Sequence, residues 1–201
     1  MAVSTIERRA MEFAAHYHGI IDQRRKYTGE PYIEHPKAVA EIVRTVPYTP
    51  AKSAMLAAAW LHDIVEDTPA TIDEVRSTFG AEIACLVEML TNVSRPEDGN
   101  RAKRKDIDRR HTALSSREAK TVKLADIIDN TRNIVARDRS FARTYLIEKA
   151  RLLQVLRDGD SDLWFQAESM IAAAMADLNN AKLSSASTAV GLTASTATAS
   201  D

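Results

Sequence analysis

Apolar positions recur every three to four residues along most of the chain and nowhere alternate for long, so helices should supply nearly all of the structure. A first helix is predicted from Ser4, whose hydroxyl suits an N-cap, carrying Ile6, Met11, Phe13, Ala14 and Tyr17 inward and stopping near Gly19. The polar run 22–32 holds Gly29 and Pro31 and reads as a loop. His35-Pro36 marks the next start, with proline at the first helical position and Ala38, Val39, Ile42 and Val43 on the inner face. Further helices are expected over 50–66, 71–79, 81–91, 115–135, 140–156 and 161–183, which leaves 92–114 as the least regular internal stretch. From Ser184 onward the chain is almost entirely Ser, Thr and Ala, too little apolar surface to offset the entropy of ordering. The expected architecture is therefore all-α, one domain over 1–183 followed by a disordered tail, 184–201.

Composition narrows the functional classes. A chain of 201 residues, 45% hydrophobic, can bury one proper core. Its 27 basic and 28 acidic residues nearly cancel, so no overall field would draw in nucleic acid or an anionic membrane, and neither is expected as a partner. The single cysteine, Cys85, rules out an internal disulfide framework and fits a reducing compartment; between Ala84 and Leu86 it reads as a core filler. Charge in the first nine residues argues against a signal peptide, and no apolar run approaches twenty residues, so a soluble cytoplasmic protein is expected. None of these features sets the oligomeric state.

One segment concentrates the chemistry. His62, Asp63, Glu66 and Asp67 put an imidazole and three carboxylates into six residues behind the apolar run 57–61. On a continuous helix His62 and Glu66, and likewise Asp63 and Asp67, would stand one turn apart in two adjacent stripes. Carboxylates so crowded repel one another unless a cation compensates them, which points to a metal with spare carboxylates beside it for proton transfer. His35, at a helix start, and Asp126, in an otherwise apolar helix, are the further candidate ligands. His35, His62, Asp63 and Asp126 form a mixed nitrogen and oxygen set suited to Mn²⁺, Fe²⁺ or Zn²⁺ more than to Mg²⁺. Four such ligands leave coordination positions for a substrate oxygen and a water.

Five blocks then match a known family in order: Arg25-Lys26; Gly29-Glu-Pro-Tyr-Ile-Glu-His35-Pro36; Ala58-Ala-Trp-Leu-His62-Asp63-Ile-Val-Glu66-Asp67-Thr68; Phe79-Gly80; and Val122-Lys-Leu-Ala-Asp126-Ile-Ile-Asp-Asn130-Thr-Arg132. Over about residues 5–175 the chain resembles the hydrolase domain of the RelA/SpoT family, in the form of its stand-alone small alarmone hydrolases. The resemblance implies an HD-domain helical bundle using Mn²⁺ to remove pyrophosphate from the 3′ position of guanosine tetra- and pentaphosphate. It places the metal ligands on His35, His62, Asp63 and Asp126, and a catalytic pair on Glu66 and Asp67. It also assigns substrate binding to Arg25, Lys26 and Asn130, with weaker matches at Arg132 and Tyr145. The basic run 101–111, six cations against two acids, could add a field over the cleft or be a solvated face.

Two departures stand out. Members of this family usually carry a histidine six residues before the Lys26 position, where this chain has Ile20, with His16 and His18 nearby. Asp129 stands where larger apolar or aromatic residues are common. The resemblance also allows phosphatase action on the 2′-phosphate of NADP(H), and a nucleotide sensor without catalysis is a third possibility that intact Glu66 and Asp67 argue against.

Overall fold

The computed structural model describes residues 4–132 and 134–195. Its helices are α1 Thr5–Ile20, α2 Glu34–Thr45, α3 Lys52–Leu61, α4 Ile64–Asp67, α5 Ile72–Phe79, α6 Ala81–Leu90, α7 Arg101–Ala113, α8 Arg117–Thr131, α9 Ile134–Arg137, α10 Arg139–Leu153 and α11 Ser161–Ser195, with a 3-10 turn at Pro96–Asp98. No strand occurs among the described residues, apart from one bridge between Arg24 and Pro31. The all-α expectation holds. None of the described helices is long and apolar enough to cross a membrane.

α3 is the centre of the bundle. It packs against α1, α2, α6 and α8, and every residue from Ala54 to Leu61 is buried. Four of those eight are alanines, which let the flanking helices approach closely, while Met55, Leu56, Trp60 and Leu61 fill the remaining volume. Each large apolar side chain so buried contributes about 1.5–3 kcal/mol. α10 and α11 close the other side of α8. α8 is therefore buried on nearly all faces, and Asp126 and Asp129 are buried among Leu124, Ala125, Ile127 and Ile128.

Local capping sets several boundaries. Ser4 accepts from the Glu7 amide at 3.2 Å, as expected for the start of α1. Thr71 and Glu74 form a reciprocal capping box at the start of α5. Between α1 and α2 the chain turns back on itself: the Arg25 amide donates to the Glu30 carbonyl and the Tyr32 amide to the Gln23 carbonyl. Gly29 closes that turn at φ +73°, a conformation that costs a residue with a Cβ.

Four expectations are corrected. The helix expected over 50–66 breaks at His62-Asp63 into α3 and α4. His62 Nδ1 donates to the Ala59 carbonyl at 2.8 Å, taking the acceptor that an uninterrupted helix would give to the Asp63 amide. The helix expected over 115–135 likewise ends at Thr131, with α9 a separate turn. The stretch 92–114 is not irregular, because α7 occupies thirteen of its residues. α7 lacks an apolar stripe for periodicity to find. It is held by Asn100, which caps the Lys103 amide, and by ion pairs of Asp106 with Arg109 and Arg110 one turn on. Cys85 is exposed, not core, since Ala84 and Leu86 take the inward positions of α6 on either side of it. The expected boundary between domain and tail falls inside α11, whose backbone continues to Ser195; residues 196–201 of that tail lie outside the described residues.

Candidate functional site

His35 and His62 reach one point from opposite directions. His35 enters from the first turn of α2 and His62 from the break after α3, and their Nε2 atoms stand 3.2 Å apart. Asp63 Oδ2 lies 3.0 Å from His62 Nε2 and 3.5 Å from His35 Nε2. Asp126, from α8, brings Oδ1 to 3.4 Å from His35 Nε2 and 3.9 Å from His62 Nε2. The two imidazole nitrogens and Asp63 Oδ2 lie close enough together to share one divalent ion, and Asp126 Oδ1 stands beside both imidazoles. The helix break is what aims His62 and Asp63, adjacent in sequence, at the same point.

Each imidazole is held through its other nitrogen. His62 Nδ1 donates to the Ala59 carbonyl, and His35 Nδ1 lies 2.7 Å from Asp129 Oδ2, so both rings can direct an Nε2 lone pair inward. Burial alone would strip a proton from His35, but hydrogen bonds to Asp126, Asp129 and Asp63 outweigh it and raise the group to about 11. Asp63 and Asp126 are held well below the usual carboxylate range despite burial, Asp63 by the imidazoles and Asp126 chiefly by Lys123. The donor set thus seeks positive charge at its centre, and a divalent ion fits it.

Glu66 and Asp67 sit on α4 at the rim of this cluster. The Asn92 backbone amide donates to Glu66 Oε1 at 2.8 Å and its side-chain amide to Oε2 at 2.6 Å. Partial burial raises the Glu66 carboxyl, while the charge of Lys123 and the Asn92 bonds pull it down. Asp67 Oδ2 accepts from Gln23 Nε2 at 2.9 Å. Gln23 in turn lies 2.6 Å from His18 Nδ1, and the His18 ring packs 4.8 Å from that of Tyr32. His18, not His16, is therefore the first-helix histidine that reaches the site.

Two cavities flank the cluster. One, about 400 Å³, is lined by Arg25, Lys26, Tyr27, His35, Asp129, Asn130 and Tyr145 among others. Arg25 Nη2 donates to Asp129 Oδ2 at 2.9 Å, Lys26 is exposed near Asp138 at 3.2 Å, and Asn130 Nδ2 donates to Asp126 Oδ1 at 2.6 Å. Tyr145 is half-buried with its hydroxyl 3.4 Å from Thr131. The other, about 270 Å³, is lined by Asn92, Lys105, Arg109, Lys123 and Lys149, among others. Two of those cations, Lys105 and Arg109, come from α7. Burial, with Lys123 and Lys105 nearby, depresses Lys149 to about 8.

Of the residues singled out from sequence, the structure gathers all but one. Arg132 is exposed and lines a separate cavity with Val135 and Met170, touching the site only through Asp129, whose Oδ1 lies 3.8 Å from its Nη1. Several site residues had no functional reading from sequence. Tyr32 donates to Asp63 Oδ2 at 2.5 Å, and Lys123 pairs with Asp126 Oδ2 at 3.1 Å, although both lie inside the matched motifs. Asn92, Gln23 and His18 lie outside those motifs and meet the site only through tertiary packing.

Comparison with known proteins places this geometry. A family model described as HD domain matches residues 10–152. The guanosine-3′,5′-bis(diphosphate) 3′-pyrophosphohydrolase MESH1 of Mus musculus is 44% identical over 126 residues, 62% of this chain and 67% of that protein. A probable guanosine-3′,5′-bis(diphosphate) 3′-pyrophosphohydrolase of Synechocystis is 37% identical over 131 residues, 64% of this chain but only 16% of its own length. A solved structure described as a metazoan ortholog of SpoT that hydrolyzes ppGpp superposes with a TM-score of 0.75 at 26% identity, covering 86% of this chain and 97% of that one. HD domains are metal-dependent, and this chain carries a His/Asp cluster that can hold an ion. The chain belongs to the HD-domain family.

Proposed function

We propose that this chain is a cytoplasmic, Mn²⁺-dependent hydrolase that removes pyrophosphate from the 3′ position of guanosine tetra- and pentaphosphate, leaving GDP or GTP. The observation that carries the reading is the gathering of His35, His62 and Asp63 within reach of one ion, with Asp126 beside both imidazoles and two cation-lined cavities nearby. The likeness to proteins named for this activity supports it.

A divalent ion held by those four residues would supply Lewis acidity toward a phosphoryl oxygen and lower the pKa of a water. The remaining chemistry falls to the chain. Glu66, fixed by two bonds from Asn92, accepts the proton of the attacking water, and its raised pKa makes it a better base near neutrality. Asp67, oriented by Gln23, stands beside it to relay that proton. The water oxygen joins the phosphorus attached to the 3′-oxygen, the bond between them breaks, and the 3′-oxygen ends protonated as a hydroxyl. Arg25, Lys26, Asn130 and Tyr145 bind the nucleoside end in the larger cavity, while the smaller one, with Lys105, Arg109, Lys123 and Lys149, takes the departing phosphates.

Turnover of guanosine tetraphosphate by the purified protein, with manganese or with chelator, tests the reading. GDP and pyrophosphate should form only with the metal. E66Q should lower kcat at least 100-fold with nucleotide binding retained. Absence of turnover by the manganese-loaded wild type would overturn the proposal, and faster release of phosphate from NADPH would reassign the substrate.

A further inference from the structure

Asp129 is a carboxylate with 8% exposure, and one of its oxygens serves two masters. Oδ2 lies 2.7 Å from His35 Nδ1 and 2.9 Å from Arg25 Nη2. The two imidazoles of the cluster are therefore held differently: His62 by a neutral backbone carbonyl, His35 by an anion. A charged acceptor on Nδ1 both fixes the ring and makes the opposite nitrogen a stronger donor. Asp129 also stands three residues after Asp126 on α8, so one face of one helix supplies a carboxylate to the cluster and the brace for its neighbour. Arg25, which pairs with that oxygen, projects into the 400 Å³ cavity, while the other oxygen, Oδ1, lies 3.8 Å from the exposed Arg132.

We propose that Asp129 is a positioning residue that ties metal retention to nucleotide binding: through one oxygen it sets the orientation and donor strength of His35 and anchors the Arg25 guanidinium in the cleft. Asp129 touches neither the ion nor the reacting phosphate. Any substitution that loosens it disturbs both functions, whereas loss of Arg25 disturbs only one.

This inference rests on His35 being a metal ligand, and its test separates the two. Mn²⁺ affinity is measured without nucleotide, from the free-ion electron paramagnetic resonance signal. D129A should weaken Mn²⁺ binding about 10–100-fold. D129N, which keeps an acceptor but not the charge, should weaken it less. R25A should bind Mn²⁺ within about twofold of wild type while raising KM. At saturating Mn²⁺, D129A should recover most of its kcat and keep a raised KM, a split that general loss of structure would not give. Mn²⁺ affinities of both D129A and D129N within twofold of wild type would overturn the proposal. So would equal losses of Mn²⁺ affinity in R25A and D129A. A wild-type protein that binds no Mn²⁺ would remove the metal-ligand reading itself, whereas Mn²⁺ binding without turnover would fault only the assigned substrate.

Discussion

Asn92 makes two bonds to Glu66, and only one of them depends on its side chain. N92A keeps the backbone amide on Oε1 and removes the amide on Oε2. A hydrogen bond to a charged group contributes about 1.5–3 kcal/mol when dry. Glu66 still reaches solvent, and water would replace part of that loss, so about 1 kcal/mol is the reasonable scale. The bond favours the charged carboxylate, so its removal moves the Glu66 pKa further up. A base is active above its pKa, so the acid limb of the kcat profile should move to higher pH by the same amount. The plateau should also fall, by about tenfold, as the carboxylate gains freedom to swing away from the attacking water. KM should stay unchanged.

The assay is steady-state hydrolysis of guanosine tetraphosphate at saturating Mn²⁺ from pH 5.5 to 9. An acid limb in its wild-type place with a plateau within twofold would refute the idea that Asn92 tunes and aims the base. A raised KM with unchanged kcat would make Asn92 a substrate contact instead, since it also lines the smaller cavity.

Three further outcomes follow from the same structure. Half-buried Lys149 is depressed to about 8, so below that pH its charge opposes folding by about 1–2 kcal/mol after screening by solvent, an opposition that fades as pH rises toward the ordinary lysine value. K149M should therefore raise the Tm at pH 7 but not near pH 10.5, and should raise KM by removing a cation from the cavity. Chelation should lower the Tm of metal-loaded protein by about 5–10 °C, because an ion present at a hundred times its Kd stabilises by about 2.7 kcal/mol; an unchanged Tm would argue that no ion is bound. At Gly159 a Cβ would come within 2.8 Å of Leu124 Cδ1 and 3.1 Å of the Leu156 carbonyl, so G159A should cost about 1–3 kcal/mol, read in urea denaturation.

Much of the site could be read from sequence because its ligands sit where local rules operate. His35 begins a helix at a proline, and Asp126 and Asn130 are one turn apart on a buried helix. The helix break at His62-Asp63 was hidden, since no Gly or Pro marks it; His62 Nδ1 instead takes the Ala59 carbonyl. α7 was hidden for the opposite reason: its stability comes from a cap and ion pairs, not from apolar spacing. Cys85 was misread because its neighbours in sequence are apolar, while on a helix the neighbours that matter are three and four residues away. Asn92 and Gln23 carry no local signal; only packing of loops against α4 brings them to Glu66 and Asp67.

The partners of the five site carboxylates divide by task. Asp126 is paired with the cation of Lys123, beside its bond from the Asn130 amide, and Asp129 with the cation of Arg25. Such pairing suits an acid that must remain an anion, because it holds the proton off across the working pH range. Glu66 and Asp67 are instead held by the neutral amides of Asn92 and Gln23. An amide fixes the direction of a carboxylate while lowering its affinity for a proton far less than a lysine or arginine would, so Glu66 keeps a pKa above its ordinary value even with Lys123 in range. Asp63 stands between the two cases, gripped by Tyr32 and faced by both imidazoles, which keep it ionised without any fixed cation. Had Asn92 been a lysine, the same orientation would come with a weaker base. The choice of amide or cation at each carboxylate thus separates residues that hold charge from residues that move protons, and it does so with side chains drawn from three different segments of the chain.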